Sequence, residues 1–150
     1  MPFSFINTVA SWILKKRIHE IELFIKHPVD VQNDQLKNLI TFAKNTEFGK
    51  KYEFSSIENY QTFKERVPSF NYEEFFPTIN RTIKGEQNIF WPEKIKWFAQ
   101  SSGTTNSKSK FLPVSNSSLD NCHFKGGKDM LCFYLNNNEN SNMFLGKSLR

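Results

Sequence analysis

Ile95-Lys96-Trp97-Phe98, the polar stretch Ala99 to Lys110, and then Phe111-Leu112-Pro113-Val114 form the segment whose reading decides the fold. The two flanking runs are short and apolar, rich in aromatic and aliphatic residues, and each is bounded by polar residues, which predicts two strands. Between them stand six Ser or Thr residues, one Gly and two Lys, a composition that belongs to a loop. Upstream of residue 90 the apolar residues recur at helical rather than alternating spacing. The expected class is therefore α/β, with a helix-rich N-terminal portion leading into the first strands.

The loop reads Ser101-Ser102-Gly103-Thr104-Thr105-Asn106-Ser107-Lys108-Ser109-Lys110. A loop that holds a polyphosphate needs free backbone N–H groups, small side chains that let the backbone approach, hydroxyl donors, and positive charge. Gly103 supplies the turn, Ser101, Ser102, Thr104 and Thr105 the hydroxyls, and Lys108 or Lys110 the cation. The same composition suits an exposed hairpin tip, so residue types alone leave both readings open. A Walker loop is excluded, because that motif needs a second Gly before its Lys and a helix after it. Gly146-Lys147-Ser148 matches only the tail of that motif, with Ser141 where its first Gly should stand.

Upstream, an amphipathic helix with Ile6, Val9, Ile13, Ile18, Ile21 and Ile25 on its apolar face is expected to end at His27-Pro28, since proline disfavours helical geometry in the residue before it. A second helix, capped from Asp30, Asn33 or Asp34, carries Leu36, Leu39, Ile40 and Ala43 and stops at Thr46-Glu47-Phe48-Gly49. Ser55 and Glu58 have the spacing of a capping box for a third helix with Ile57, Tyr60, Phe63 and Val67 on one stripe, ended by Pro68. Asn71 caps a fourth that reaches Gly85, kinked or restarted at Pro77. After the loop, Ser115, Ser117 or Ser118 starts a helix reaching about Tyr134, and Met143-Phe144-Leu145 opens a further apolar run.

Composition narrows the function classes. The formal charge of +5 comes mostly from Lys interleaved with Glu and Asp, which describes a solvated surface and not a nucleic-acid stripe. Lys15-Lys16-Arg17 is too short a basic run to change this, and a helix would expose it. Sixteen Phe at largely helical spacing predict core packing in preference to ligand stacking, and core is also the expectation for Trp91 and Trp97 beside the loop. The apolar run Phe3 to Leu14 is too short to cross a bilayer and has its charges on the wrong side for a secretory signal, so no integral membrane segment is expected. Cys122 and Cys132 fall on one predicted helix about 15 Å apart along its axis, too far to bridge, and a reducing cytoplasm fits. His19, His27 and His123 have no neighbour at metal-ligand spacing, so no metal site is predicted. Glu73 and Glu74 sit where a first helical turn favours acids, and no catalytic side chain is assigned.

Residues 101–113 resemble the first signature motif of the auxin-responsive-promoter family of acyl acid-amido synthetases, a branch of the luciferase-like adenylate-forming superfamily. Thr46 to Lys50, Phe63 to Pro68, Tyr72 to Glu74, Pro77 to Arg81, Lys84 to Glu86 and Lys96 to Phe98 stand in the order and spacing that this family shows upstream of its motif. The resemblance covers about residues 27 to 115. It implies a reaction in which a carboxylic acid attacks the α-phosphate of ATP, with Mg²⁺, to form an acyl-adenylate, after which an amino acid displaces AMP to form an amide. Ser101, Ser102, Gly103, Thr104, Thr105 and Lys110 map onto the family's phosphate contacts, while Asn106 and Ser107 stand where many members have smaller residues. It further implies that residues 1–150 are the N-terminal part of a large adenylate-forming domain, with the motifs for adenine, ribose, Mg²⁺ and the acid beyond Arg150, and that the chain alone is inactive. The competing expectation is a non-enzymatic, basic helical module that binds a polyanion or a protein partner. The sequence sets no oligomeric state.

Overall fold

The structure is a computed structural model that describes residues 8, 9, 12, 16–101, 109–138 and 141. In chain order its elements are α1 (Ile18–Lys26), α2 (Pro28–Ala43), α3 (Glu47–Lys51), a 3₁₀ turn (Phe54–Ser56), α4 (Tyr60–Arg66), α5 (Tyr72–Ile83), β1 (Trp97–Gln100), β2 (Phe111–Val114), α6 (Asn116–Ser118), a π-helical segment (Leu119–Phe124) and α7 (Lys125–Asn137). They divide into two compact units, Val29–Leu119 and the pair of segments Met1–Pro28 with Asp120–Arg150. The helix-rich α/β expectation holds among the described residues, with the sheet reduced to one antiparallel pair.

In the Val29–Leu119 unit the core gathers Ile40 and Ala43 from α2 with Phe54 and Ile57, and Leu36, Phe48, Tyr52, Phe63, Val67 and Trp91 pack around them. Helix α2 begins at Pro28 and not at an Asp or Asn cap, because the fixed φ of proline suits a first helical turn that needs no N–H. Leu39, expected on the buried stripe, lies at its margin and stays half exposed.

The segment expected to break the chain after α2 is itself a short helix. Thr46 is fully buried; its hydroxyl donates to the Ala43 carbonyl at 2.7 Å and accepts from the Gly49 N–H at 2.9 Å. The N–H groups of Glu47 and Phe48 go to the carbonyls of Asn88 and Ile89 at 3.0 and 2.8 Å. All of these early helical donors are thus satisfied inside the unit. Asn88 holds a φ of 58°, a left-handed conformation that asparagine tolerates better than most residues. Phe48 is the hub of the aromatic packing, with ring centroids 4.5 Å from Tyr52, 6.1 Å from Phe54 and 5.9 Å from Phe75. The edge-to-face pairs with Phe54 and Phe75 stabilise a core beyond its buried area. Phe54 is the one buried phenylalanine among the described residues, however, and Phe42, Phe70, Phe76, Phe124 and Phe133 are exposed, contrary to the core expectation.

Helix α4 corrects one expectation. Its cap is Asn59, whose side chain accepts from the Thr62 N–H at 2.9 Å, and Ser55 belongs to the 3₁₀ turn instead of a capping box. The reason is Ile57, which is buried and extended, so the chain cannot become helical until it has passed that residue. The α5 cap follows expectation. Asn71 and Glu74 form a reciprocal capping box at 2.8 and 3.0 Å, and Pro77 lies within one continuous helix. Strand β1 starts two residues later than the apolar pattern suggests. The N–H of Ile95 donates to Gln87 Oε1 at 2.8 Å, so a side-chain amide holds that backbone in place of a neighbouring strand.

In the other unit α1 packs on α7, with Ile21, Cys132 and Leu135 buried. Arg17, expected on an exposed basic run, instead donates from Nε and Nη2 to the two carboxylate oxygens of Asp129 at 2.7 and 3.2 Å. A planar guanidinium matches a carboxylate in this two-point geometry, which explains why this residue of the run is drawn in. Ile25, in contrast, is exposed. Ser115 is the N-cap after β2, accepting from the Ser118 N–H at 3.0 Å, and the helical path reaches Asn137. Cys122 and Cys132 are free thiols. Ile6, Ile13, Lys15 and the run Met143-Phe144-Leu145 lie outside the described residues.

Candidate functional site

β1 and β2 pair antiparallel with Trp97 opposite Val114 and Gln100 opposite Phe111. One step further along the same register, the Ser101 N–H donates to the Lys110 carbonyl at 3.0 Å and the Lys110 N–H to Ser101 Oγ at 3.4 Å. The neck of the hairpin loop is therefore closed by its first and last residues, and the Ser101 hydroxyl takes part. Of the predicted phosphate contacts, Ser101 and Lys110 are brought together at this neck, whereas Ser102, Gly103, Thr104 and Thr105 lie outside the described residues.

Antiparallel pairing alternates, so that if Ser101 and Lys110 exchange bonds across the hairpin, the main-chain groups of Gln100 and Phe111 point away from it. The outward groups of Phe111 are met by α5. Its N–H donates to the Tyr72 hydroxyl at 2.8 Å, and that hydroxyl lies 3.4 Å from the Phe111 carbonyl, to which it donates. The next outward position on β2 is Pro113, which has no N–H to leave unpaired and so suits an edge strand. Lys110 Nζ lies 3.9 Å from a Glu73 carboxylate oxygen and 5.1 Å from the centroid of the Tyr72 ring. Both partners of this ion pair are well exposed, so water weakens it and Lys110 remains open to a competing anion.

Sequence reasoning assigned Glu73 and Glu74 one common role. The structure separates them: Glu74 closes the capping box, while Glu73 faces Lys110. Tyr72 was missed as a neighbour of the loop. The Asn71 cap places it in the first turn of α5, yet nothing in the sequence says that this turn abuts a residue 39 positions away. Trp91 packs in the core against Phe42 at 5.1 Å, as expected, but Trp97 is exposed, contrary to expectation.

Past β2 the chain is anchored by Glu93, whose carboxylate accepts from the Ser117 hydroxyl and from the Ser117 N–H at 3.0 Å. These bonds favour the charged form and hold the Glu93 carboxyl below its ordinary value of 4.5. A depressed folded-state value contributes stability that is present above the ordinary value and is lost as pH falls through the folded one. The expected result is that thermal stability declines as pH drops below about 4.5, and that Glu93→Gln flattens this part of the profile. Scanning calorimetry of both proteins between neutral and acid pH checks it.

Among the described residues, no three His, Cys, Asp or Glu side chains gather at a common point, and no helix is long and apolar enough to cross a membrane. The helix-rich unit carries the motif quoted above on one hairpin, between β1 and β2. The chain belongs to the GH3 family, whose N-terminal domain profile matches residues 17–149.

Its similarity to individual members is moderate. The chain is 32% identical over 106 residues, 70% of its length, to an indole-3-acetic acid-amido synthetase of Arabidopsis thaliana, and the match covers 19% of that protein. It is 30% identical over 95 residues to a 4-substituted benzoates-glutamate ligase of the same plant, covering 63% of the chain and 16% of the relative. A jasmonoyl-L-amino acid synthetase of Oryza sativa subsp. japonica is 25% identical over 107 residues, covering 71% of the chain and 18% of the relative. The matched stretch thus spans about a fifth of the length of these curated relatives.

Proposed function

We propose that this chain supplies the ATP polyphosphate loop of an acyl acid-amido synthetase, an ATP-dependent ligase that joins a small carboxylic acid to an amino acid. The observation that carries the reading is the motif Ser101 to Pro113 set on a hairpin whose neck is closed by Ser101 and Lys110, in a chain of the GH3 family. The relatives named above act, by their names, on indole-3-acetic acid, substituted benzoates and jasmonate, and they conjugate amino acids. The substrate class carried to this chain is accordingly a carboxylic acid and an amino acid.

The acid attacks the α-phosphorus of ATP; the bond to the bridging oxygen breaks, and pyrophosphate leaves with the negative charge. An amine then displaces AMP from the acyl carbon. In the first step the task of this chain is electrostatic. Donors fixed around the β- and γ-phosphates stabilise charge as it develops on the leaving group and require no reorganisation at that moment. Ser101, Ser102, Thr104 and Thr105 provide hydroxyls, Gly103 lets the backbone approach, and Lys110 provides a cation already held beside the neck. Mg²⁺ would arrive on the polyphosphate, and no side chain of this chain is needed as a nucleophile.

The test is pyrophosphate release by the full-length protein with ATP and Mg²⁺ across a panel of carboxylic acids. Release that depends on an acid is the expected result. A folded protein that binds no ATP would overturn the reading and favour a non-enzymatic binding module.

A further inference from the structure

The first turn of α5 holds the hairpin at the one point where the loop returns to β2. Three contacts converge there: the Tyr72 hydroxyl on the outward N–H of Phe111 at 2.8 Å, the same hydroxyl near the Phe111 carbonyl at 3.4 Å, and the Tyr72 ring beside Lys110 Nζ at 5.1 Å. A hydroxyl can accept one bond and donate another, so this single group occupies both outward main-chain positions of Phe111, as a neighbouring strand would. The capping box of Asn71 and Glu74 in turn fixes the helix end that carries Tyr72. The result is a path of directed bonds from the start of α5 to the main chain of Phe111, the residue that follows the loop.

We infer that Tyr72 is a positioning residue of the polyphosphate loop, setting the main chain at Phe111 and the direction of the Lys110 side chain. The inference rests on the reading of the loop given above. It makes a distinction that a merely structural tyrosine would not. Pyrophosphate departs in the adenylation half-reaction and takes no part in the transfer of the acyl group from the adenylate to the amine. A residue that acts through the loop should affect the first half-reaction alone, whereas general damage to the fold affects both.

The experiment measures both half-reactions in the full-length protein: acid-dependent pyrophosphate release, and amide formation from a chemically prepared acyl-adenylate. Tyr72→Phe keeps the ring and removes the hydroxyl, and is expected to lower kcat/KM for ATP in adenylation about fivefold, the effect of one ordinary hydrogen bond. The KM for the acid and the rate of amide formation from the adenylate are expected to stay at wild-type values. Tyr72→Leu also removes the ring beside Lys110 and is expected to lower adenylation further, again without slowing amide formation. Equal losses in both half-reactions, or wild-type adenylation in Tyr72→Phe, would overturn the inference while leaving the loop reading intact, provided that Ser102→Ala with Thr104→Ala abolishes release. If that loop variant releases pyrophosphate normally, the loop reading fails and this inference fails with it.

Discussion

Gly49→Ala is expected to lower the unfolding free energy of the Val29–Leu119 unit by about 3 kcal/mol, at the upper end of what overpacking costs. A Cβ at this position would stand 2.1 Å from the Ala43 carbonyl oxygen and 2.9 Å from both the carbonyl carbon and the Cα of Lys44. Every one of these atoms is backbone, so no side chain can rotate aside to relieve the clash. The Ala43 carbonyl also accepts the buried Thr46 hydroxyl, and Gly49 donates its N–H to that same hydroxyl. Moving either segment would therefore strand buried polar groups, each of which costs about 1–3 kcal/mol when left unpaired. Gly126 and Gly127 provide the internal comparison. They lie in α7, where an added Cβ would meet nothing within 4 Å, and alanine at either should be neutral or stabilising by up to about 1 kcal/mol. Urea denaturation checks all three, followed by Trp91 fluorescence for Gly49→Ala and by the helical circular dichroism signal for Gly126→Ala and Gly127→Ala.

Ser102→Ala combined with Thr104→Ala is expected to reduce acid-dependent pyrophosphate release by the full-length protein about 10²-fold or more, the effect of removing a preorganised donor from a developing oxyanion. The loss should fall on the adenylation step. The hydroxyls are assigned to the leaving group and not to the acid, so the KM for the acid is expected to remain unchanged. Folding should be preserved, because the core of the Val29–Leu119 unit is built from Ile40, Ala43, Phe54 and Ile57 with their surrounding aromatic residues. Denaturation of the double variant at the wild-type urea concentration would show that the loss is chemical in origin.

Local chemistry made part of this molecule legible from its residues. Asn71 announced α5 because an N-cap side chain acts on the turn that directly follows it, and Pro68 ended the α4 segment for an equally local reason. The hairpin was legible as residue types, since a Ser/Thr-rich stretch stands between two short apolar runs, and β1 and β2 are the strands on either side of it. Errors arose where a distant partner decided the outcome. Ile95 looks like the start of a strand, yet its N–H is held by Gln87. Ser55 looks like a cap, yet the burial of Ile57 keeps the chain extended until Asn59. Arg17 looks solvated within its basic run, yet Asp129, 112 residues away, pairs with it. Tyr72 belongs with these cases, because its place at the hairpin depends on the β2 register and on the packing of α5, neither of which one sequence displays.

The central claim, that the Ser101 to Lys110 loop holds the β- and γ-phosphates, is tested most directly by comparing the binding of AMP, ADP and ATP, each with Mg²⁺, by isothermal titration calorimetry. The full-length protein and its Ser102→Ala, Thr104→Ala variant would be measured side by side. The account predicts that the wild-type protein binds ATP more tightly than AMP, and that the variant loses this preference while its affinity for AMP is unchanged. A variant that keeps the full preference for ATP, or that loses affinity for AMP and ATP equally, would contradict it.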